Sequence, residues 1–552
     1  MFTQQSLELA LMTGYQTLEN KNWKQYYLLD AEAKAQNPAL HAEEIKINRG
    51  KISNLSSYPI VGSWPLIPEE DLGSVIQEQL TLGRKASLAF QQVPLQVRVE
   101  LLRNFGRRLK NNAEYWRQMM VQESYAFNAF LGSFDSALQI FQSSYLNMME
   151  GLLSPSQKAG SFARIEYVPQ GIIGVISPQN SSFPMLTQIL HGAILTANAI
   201  MVKPPHRLAI VALNLVREFN DFLQECGMPD GLISTVTHVN TQRVMEHWLG
   251  LNGGEEKIDN LIFIGNSKRR DSVIETCKKA HIFNPIIELE GVDAAYVHQD
   301  LSYEQLKQVA QLIAYAKNMA AGQMCVSLKR LYVQSRVYDK FMEFLKAEFQ
   351  KYRPGSLRED NPYILGPSSL AHKLNHFIQA FEAHGAHVSL GGKRINYSGE
   401  EDPQGQYIEP TLIEGVAADN PLLQEEIFAN ILPVVEVDGE VAEVIQQINL
   451  CPFGLRASIY GNDIEVLRRL TRELRVGTVV INGNPQDFSM QIAGGRGLTT
   501  LDQNARIWPL DMSLRRVVTG GKGLDTLNSL LQQEKRTTHV PFELPQIPMV
   551  MS

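Results

Sequence analysis

Apolar residues in this chain gather into two series of short runs. The first series is GIIGVIS (171–177), AIMVK (199–203), LISTVT (232–237), LIFIG (261–265) and PIIELEG (285–291). Longer stretches at helical spacing lie between them, such as LAIVALNLVREFNDFLQEC (208–226). Short, nearly continuous apolar runs predict strands covered on both faces, and their alternation with helices predicts a parallel α/β sheet. The second series is AAYVH (294–298), RLYVQ (330–334), ILPVVEV (431–437), RASIY (456–460) and GTVVIN (477–482). Two such sheets in tandem predict two α/β domains, with a ligand cleft between them. Upstream, residues 80–150 read as helical, with Val99, Leu102, Phe105 and Leu109 near helical spacing. Residues 1–80 carry no readable motif, and the C-terminal stretch ends in a Pro-rich tail.

Length and charge narrow the picture. A chain of 552 residues exceeds one compact core, so two or three domains are expected. The net charge of −7, from 51 basic and 58 acidic residues, argues against a general nucleic-acid binder. Four scattered cysteines, Cys226, Cys277, Cys325 and Cys451, fit neither a disulfide framework nor a zinc site, so no metal is expected and a reducing cytoplasm fits best. The N-terminus lacks the basic and apolar regions of a secretory signal. No apolar run approaches the length of a membrane-spanning helix, so no membrane partner is expected.

Several residues carry candidate chemistry. Cys325, in AAGQMCVS, follows a helix with Ser302 and Gln305 as a capping box and Leu306, Val309, Ile313 and Ala316 on one face. Gly322 is expected to end that helix and leave the cysteine on a turn, where a thiolate can attack a carbonyl. The competing reading is a small buried apolar residue. Glu288 lies inside the apolar run PIIELEG, where burial would raise its pKa and suit it to general-base work. Alternatively it reaches solvent at the strand end. Asn180 stands just past a strand that Pro178 stops, where an amide can donate to a developing oxyanion, or simply make a turn. Lys203 closes AIMVK at the end of a parallel strand that faces a ligand crevice, unless it is merely solvated. Gly265, between a strand and the segment NSKRRDSVIETCKKA, is a weak phosphate-site signal without GxGxxG.

Taken together and in this order, the residues resemble the aldehyde dehydrogenase superfamily from about residue 80 to about residue 518. The family's Pro-x-Asn asparagine falls on Asn180, its Lys-Pro motif on Lys203-Pro204, and its Phe-x-Gly turn on Phe263-Ile264-Gly265. Its Glu-Leu-Gly-Gly glutamate falls on Glu288, and its Gly-Gln-x-Cys nucleophile on Cys325. Glu425-Glu426-Ile427-Phe428, Pro452 to Leu455 and Gly494-Gly495 complete the series. The resemblance implies an α/β fold with a Rossmann-type cofactor domain (81–151 and 170–288), a catalytic domain (289–505) and oligomerisation elements (152–169 and 506–520). Residues 1–80 would be an extension and 521–552 a tail.

It also implies a mechanism and a cofactor. Cys325 would add to a small-molecule aldehyde, Asn180 and the Cys325 backbone N–H would hold the oxyanion, and hydride would leave to NAD(P)+. Glu288 would activate water to hydrolyse the thioester. The cofactor would rest on Ser177, Pro178, Gln179, Lys203, Pro205, His206, Gly265, Asn266, Arg269, Leu289, Glu426 and Phe428. The chain departs from the family pattern at Gln179, at His206, at Gly265–Arg270 and at Glu290-Gly291-Val292. His206 stands where a carboxylate would repel a 2′-phosphate, and Lys268, Arg269 and Arg270 are expected to welcome a phosphate, so NADP+ is favoured over NAD+. By motif spacing, Ser181, Gln188, Ala493, Met324 and Val326 would line the aldehyde funnel and favour a polar substrate. A homodimer or homotetramer is implied. Two other readings stand beside this one: a CoA-acylating enzyme of the same fold, and a non-catalytic binding relative.

Overall fold

The computed structural model describes residues 66–519, apart from 123–126, 158–162, 206–208, 356–360, 487–493 and 503–505. His206, Ala493, residues 1–65 and the tail after 519 lie outside the described residues. Helix α1 (Glu69–Phe90) opens with Glu69, Glu70 and Asp71, whose charges suit the positive end of the helix dipole. Leu72, Ile76 and Leu80 recur every four residues and bury one stripe, which packs on Ile172, Ala199 and Met201. The helix therefore runs straight across position 80. In α2 (Leu95–Asn111) the four residues read from periodicity, Val99, Leu102, Phe105 and Leu109, are all buried.

Strand β1 (Ala163–Pro169) precedes β2 (Ile172–Ile176), α3 (Ser182–Thr196), β3 (Ala199–Lys203), α4 (Ala209–Glu225) and β4 (Ile233–Thr235). Then come β5 (Asn260–Ile264), α5 (Ser267–Lys279) and β6 (Ile286–Glu288). These strands form a five-stranded sheet in the order β4-β3-β2-β5-β6, with every pairing parallel. The strand order reverses between β2 and β5, so the crevice at their C-terminal ends is the place a ligand enters such a sheet. Every residue of α3 is buried, which agrees with a helix apolar on nearly all sides.

The second sheet begins with β7 (Asp293–Val297), followed by α6 (Tyr303–Asn318) and β8 (Leu328–Gln334). It continues through β9 (His387–Leu390), β10 (Thr411–Glu414), β11 (Ile431–Val437), β12 (Arg456–Tyr460) and β13 (Thr478–Ile481). Its order is β9-β10-β11-β8-β7-β12-β13, parallel except for the β9–β10 edge pair. Strand β14 (Ser513–Thr519) lies antiparallel along β1, and Ser156–Gln157 pairs with the other edge of β1.

The Ser302–Gln305 capping box forms as read from the sequence. The end of α6 differs from expectation. The helix stops at Asn318, not Gly322, because Ala320, Ala321 and Gly322 adopt φ of 51°, 52° and 71°. Left-handed backbone cannot continue an α-helix, and an alanine there costs roughly 1–2 kcal/mol. A Cβ on residue 322 would collide with the Ala429 carbonyl, so only glycine fits. Among the described residues no helix is long and apolar enough to cross a membrane, and no group of three or more His, Cys, Asp or Glu could hold a metal ion.

Candidate active site

The left-handed turn delivers Cys325 to the junction of the two sheets. Asn180, just beyond β2, donates its side-chain amide to the Gln323 carbonyl at 3.2 Å, although the two residues are 143 positions apart in sequence. Met324 and Val326, on either side of the nucleophile, are buried in the first core, while Cys325 itself is half-buried. Gly291 packs against the same turn, where a Cβ would collide with the Cys325 carbonyl oxygen. Of the three residues expected to carry the chemistry, Asn180 meets the Cys325 turn directly, and Glu288 stands three positions before the glycine packed against it.

A lysine that the sequence did not single out braces this turn. Lys329, 2% exposed, donates to the carbonyls of Met324 at 2.7 Å, Ser327 at 2.9 Å and Cys325 at 3.4 Å. Its ammonium also lies 3.9 Å from Glu426 and over the Phe428 ring. Glu426 in turn accepts from the Gly291 N–H at 3.2 Å. Burial pushes the Cys325 thiol up to about 12; Glu426, Asp293 and Glu288 add to the rise and Lys329 opposes it. A thiol raised in this way stays protonated near neutrality. Burial likewise raises Glu426 and Asp293 to about 7, each opposed by Lys329.

Glu288 ends β6 and is 4% exposed, so it is not a solvated strand-end carboxylate. One of its oxygens pairs with the Arg506 guanidinium, and the other accepts from the Gly494 N–H at 2.9 Å. Asp502 also pairs with Arg506. Burial raises Glu288 to about 7 despite Arg506, within the range a general base at neutral pH requires. Sequence reasoning missed Arg506. It stands just before a short helix, Trp508–Asp511, with no sequence spacing that links it to Glu288.

Several of the residues expected to hold a cofactor lie at or just past the C-terminal ends of the first sheet's strands: Ser177, Lys203, Gly265 and Leu289. Lys203 is 2% exposed, and its hydrogen bond is to Pro204 O at 3.2 Å, so a solvated strand-end lysine is excluded. Burial depresses it to about 8. Such an ammonium, buried at the crevice with a single carbonyl, suits an anionic or hydroxylated ligand. The Ser177 N–H donates to Lys203 O at 3.1 Å, and the buried Ser177 hydroxyl has no partner among the described residues. Pro178 is buried, Gln179 exposed and Pro205 half-buried. Leu289 is buried and its N–H donates to Thr499 O at 2.9 Å. Gly265 and Asn266 are exposed at the mouth of α5, and the Asn266 side chain caps nothing.

At the start of α5 the three basic residues expected to welcome a phosphate differ in their surroundings. Arg270 pairs with Asp271 at 2.9 Å, and the helix start is already met by the carboxylate of Glu290. Lys268 and Arg269 are exposed.

Comparison with known proteins agrees with this arrangement. The sequence profile of the "Aldehyde dehydrogenase family" matches residues 58–515. A 3,6-anhydro-alpha-L-galactose dehydrogenase of Vibrio sp. (strain EJY3) is 27% identical over 73% of this chain and 82% of its own length. A 3-sulfolactaldehyde dehydrogenase of Priestia aryabhattai is 28% identical over 57% of this chain, a stretch spanning 61% of that relative. Among solved structures, an NAD-dependent aldehyde dehydrogenase from Sinorhizobium meliloti superposes with a TM-score of 0.76 at 22% identity, covering 90% of this chain and 95% of that one. The two-sheet fold, the family profile and the thiol–amide–carboxylate constellation converge: the chain belongs to the aldehyde dehydrogenase family and is an NAD(P)-dependent aldehyde dehydrogenase.

Proposed function

We propose that this enzyme oxidises a polar aldehyde to its carboxylic acid through a thioester on Cys325. The observation that best supports the reading is the Asn180 amide set against the Cys325 turn, with a base raised to about 7 in the loop packed behind it. Cys325 sulfur adds to the aldehyde carbon as its proton departs to the Glu288 carboxylate, directly or through water. The aldehyde oxygen becomes an alkoxide, held by the Asn180 amide and the Cys325 backbone N–H. The nicotinamide, when bound, supplies the two-electron acceptor. Hydride leaves the former aldehyde carbon, the carbonyl reforms, and a thioester remains on sulfur. Glu288 gives up that first proton to solvent; water then attacks the carbonyl as the freed carboxylate takes its proton, and this proton passes to the departing sulfur, releasing the acid and the Cys325 thiol.

Lys203, Ser177, Leu289, Glu426 and Phe428 are the residues we assign to the cofactor. NADP+ is favoured over NAD+ because residue 206 is histidine, Lys203 is a nearby cation, and Lys268 and Arg269 stand exposed on the first turn of α5. For the substrate, the buried Gln188 amide nitrogen has no partner among the described residues, while its oxygen accepts from Trp508 at 3.2 Å. The names of the Vibrio and Priestia relatives denote polar aldehydes, in keeping with a polar funnel.

The test is pre-steady-state kinetics. Glu288→Gln is expected to give a stoichiometric burst of reduced cofactor followed by slow turnover, and Cys325→Ala to give no turnover while cofactor still binds. Full turnover by Cys325→Ala would exclude the mechanism. A second reading has one observation in its favour: both oxygens of Glu288 are engaged, by Arg506 and Gly494. If hydrolysis is slow for that reason, a thiol such as CoA would carry off the acyl group. Acceleration of the slow phase by CoA would favour this reading.

A further inference from the structure

The N-terminus of α5 already holds an anion, and that anion belongs to the chain. Ser267 donates its backbone N–H to both carboxylate oxygens of Glu290 at 2.9 Å and its hydroxyl to one of them, also at 2.9 Å. The N-cap residue Asn266 contributes no side-chain cap, so Glu290 takes that role from another segment. Its position gives the contact its meaning. Helix α5 follows β5, next to β2, where the strand order reverses. The amides at such a helix start, at the switch point of a parallel sheet, are where a dinucleotide places its pyrophosphate.

We propose that Glu290 is an internal competitor of the cofactor pyrophosphate, and that its side chain leaves the α5 N-terminus when the cofactor docks. The inference rests on reading this crevice as the NAD(P) site. Two carboxylate-type anions cannot share one pair of donors, and the Ser267 N–H and hydroxyl are both committed. The swing is confined to the side chain, because the Glu290 carbonyl accepts from Thr499 Oγ1 at 2.9 Å and the neighbouring Leu289 N–H is pinned to Thr499 O. Glu290 also bears on the other end of the site. Its charge helps to raise Glu426, which we assign to the cofactor. Lys268 and Arg269 stand exposed on the same first turn, so the donors remain electropositive once Glu290 has swung away. Glu290 thus sets cofactor affinity without touching the reacting atoms.

Calorimetric titration of the full chain with NADP+, NAD+ and ADP-ribose tests this, beside thermal melts of each variant. Glu290→Ala is expected to tighten all three ligands by roughly fivefold or more, within the usual range of coupling between competing groups. Glu290→Gln, which keeps one acceptor but no charge, should fall between. A merely structural cap would instead lower the melting temperature and leave the dissociation constants equal or weaker; that outcome overturns the proposal and leaves the dehydrogenase reading intact. Wild type that binds poorly beside a variant that binds well supports it. Failure of wild type and both variants to bind any of the three ligands overturns both readings together.

Discussion

Arg506 and Glu288 form an ion pair whose side chains are 1% and 5% exposed. Burial raises the carboxylate and Arg506 opposes the rise. Replacing Arg506 by glutamine therefore leaves Glu288 buried with less to stabilise its charge, and its pKa goes up further. The base works ionised, so turnover increases with pH as Glu288 loses its proton. In Arg506→Gln that increase is expected about one unit or more higher. Arg506→Lys should recover part of the shift. A pH–rate profile measured on the hydrolytic phase checks this, and an unmoved profile would detach Arg506 from the base. Some loss of stability accompanies the change, since breaking a buried pair costs about 3–5 kcal/mol.

Stability should itself depend on pH in a direction opposite to ordinary acid unfolding. Glu288, Asp293 and Glu426 all stand near 7 in the fold, far above their ordinary values. Groups raised on folding stabilise fully below their unfolded pKa, and that contribution is lost as pH rises through the folded value. Buried His191, depressed to about 3, works the other way but only below its ordinary pKa near 6.5. Above it two buried lysines also work the other way, Lys203 depressed to about 8 and Lys317 pushed well down by burial, so the carboxylate part is read by difference. The urea midpoint of Glu426→Gln is therefore expected to rise relative to wild type as pH goes from about 5 to 8, and a constant difference between the two would contradict the raised Glu426.

Alkylation of Cys325 should report its protonation. With the thiol near 12, the iodoacetamide rate is expected to climb steadily with pH through the alkaline range, with no plateau near neutrality. Lys329→Met removes the cation that opposes the rise, so labelling at a fixed pH should slow. Peptide mapping after timed quenching measures both. Equal rates in the two proteins would leave Lys329 a brace for the turn and nothing more.

Much of this was legible in the sequence, for reasons that particular segments make clear. Strands β2 to β6 and β7, β8 and β11 to β13 are short apolar runs between breakers, so local pattern was enough. Strands β9 and β10 passed unnoticed. His387–Leu390 is an edge strand of exposed and half-exposed residues, and Thr411–Glu414 is too short to set an alternation. The end of α6 was misplaced because two alanines adopt a backbone that their own propensity opposes, held there by packing. Cys325, Glu288 and Asn180 came from order and spacing. Arg506, Lys329 and the Glu290 contact did not, because each is a meeting of segments that only the fold brings together.

Self-association is the remaining expectation. Ile165 and Val517 face each other across the β1–β14 pairing, and Leu514 follows on the same strand. Ile165 is 37% and Val517 64% exposed on one face of this sheet, and Leu514, 53% exposed, stands on the other, apolar surface uncommon on a lone subunit. A dimer or tetramer through this sheet is expected, and the double change Leu514→Asp with Val517→Asp should give monomers by sedimentation velocity. Monomeric wild-type protein would refute it.

Gly291 joins the two halves of the chemistry. Since a Cβ there would meet the Cys325 carbonyl, the loop that carries the base and the turn that carries the thiol touch backbone to backbone. The approach of the two segments is therefore gauged, at this point, by the thickness of two peptide units. A methyl group at 291 would act as a wedge between two residues it does not resemble chemically. The least reactive residue in the loop is thus the one that calibrates its reach.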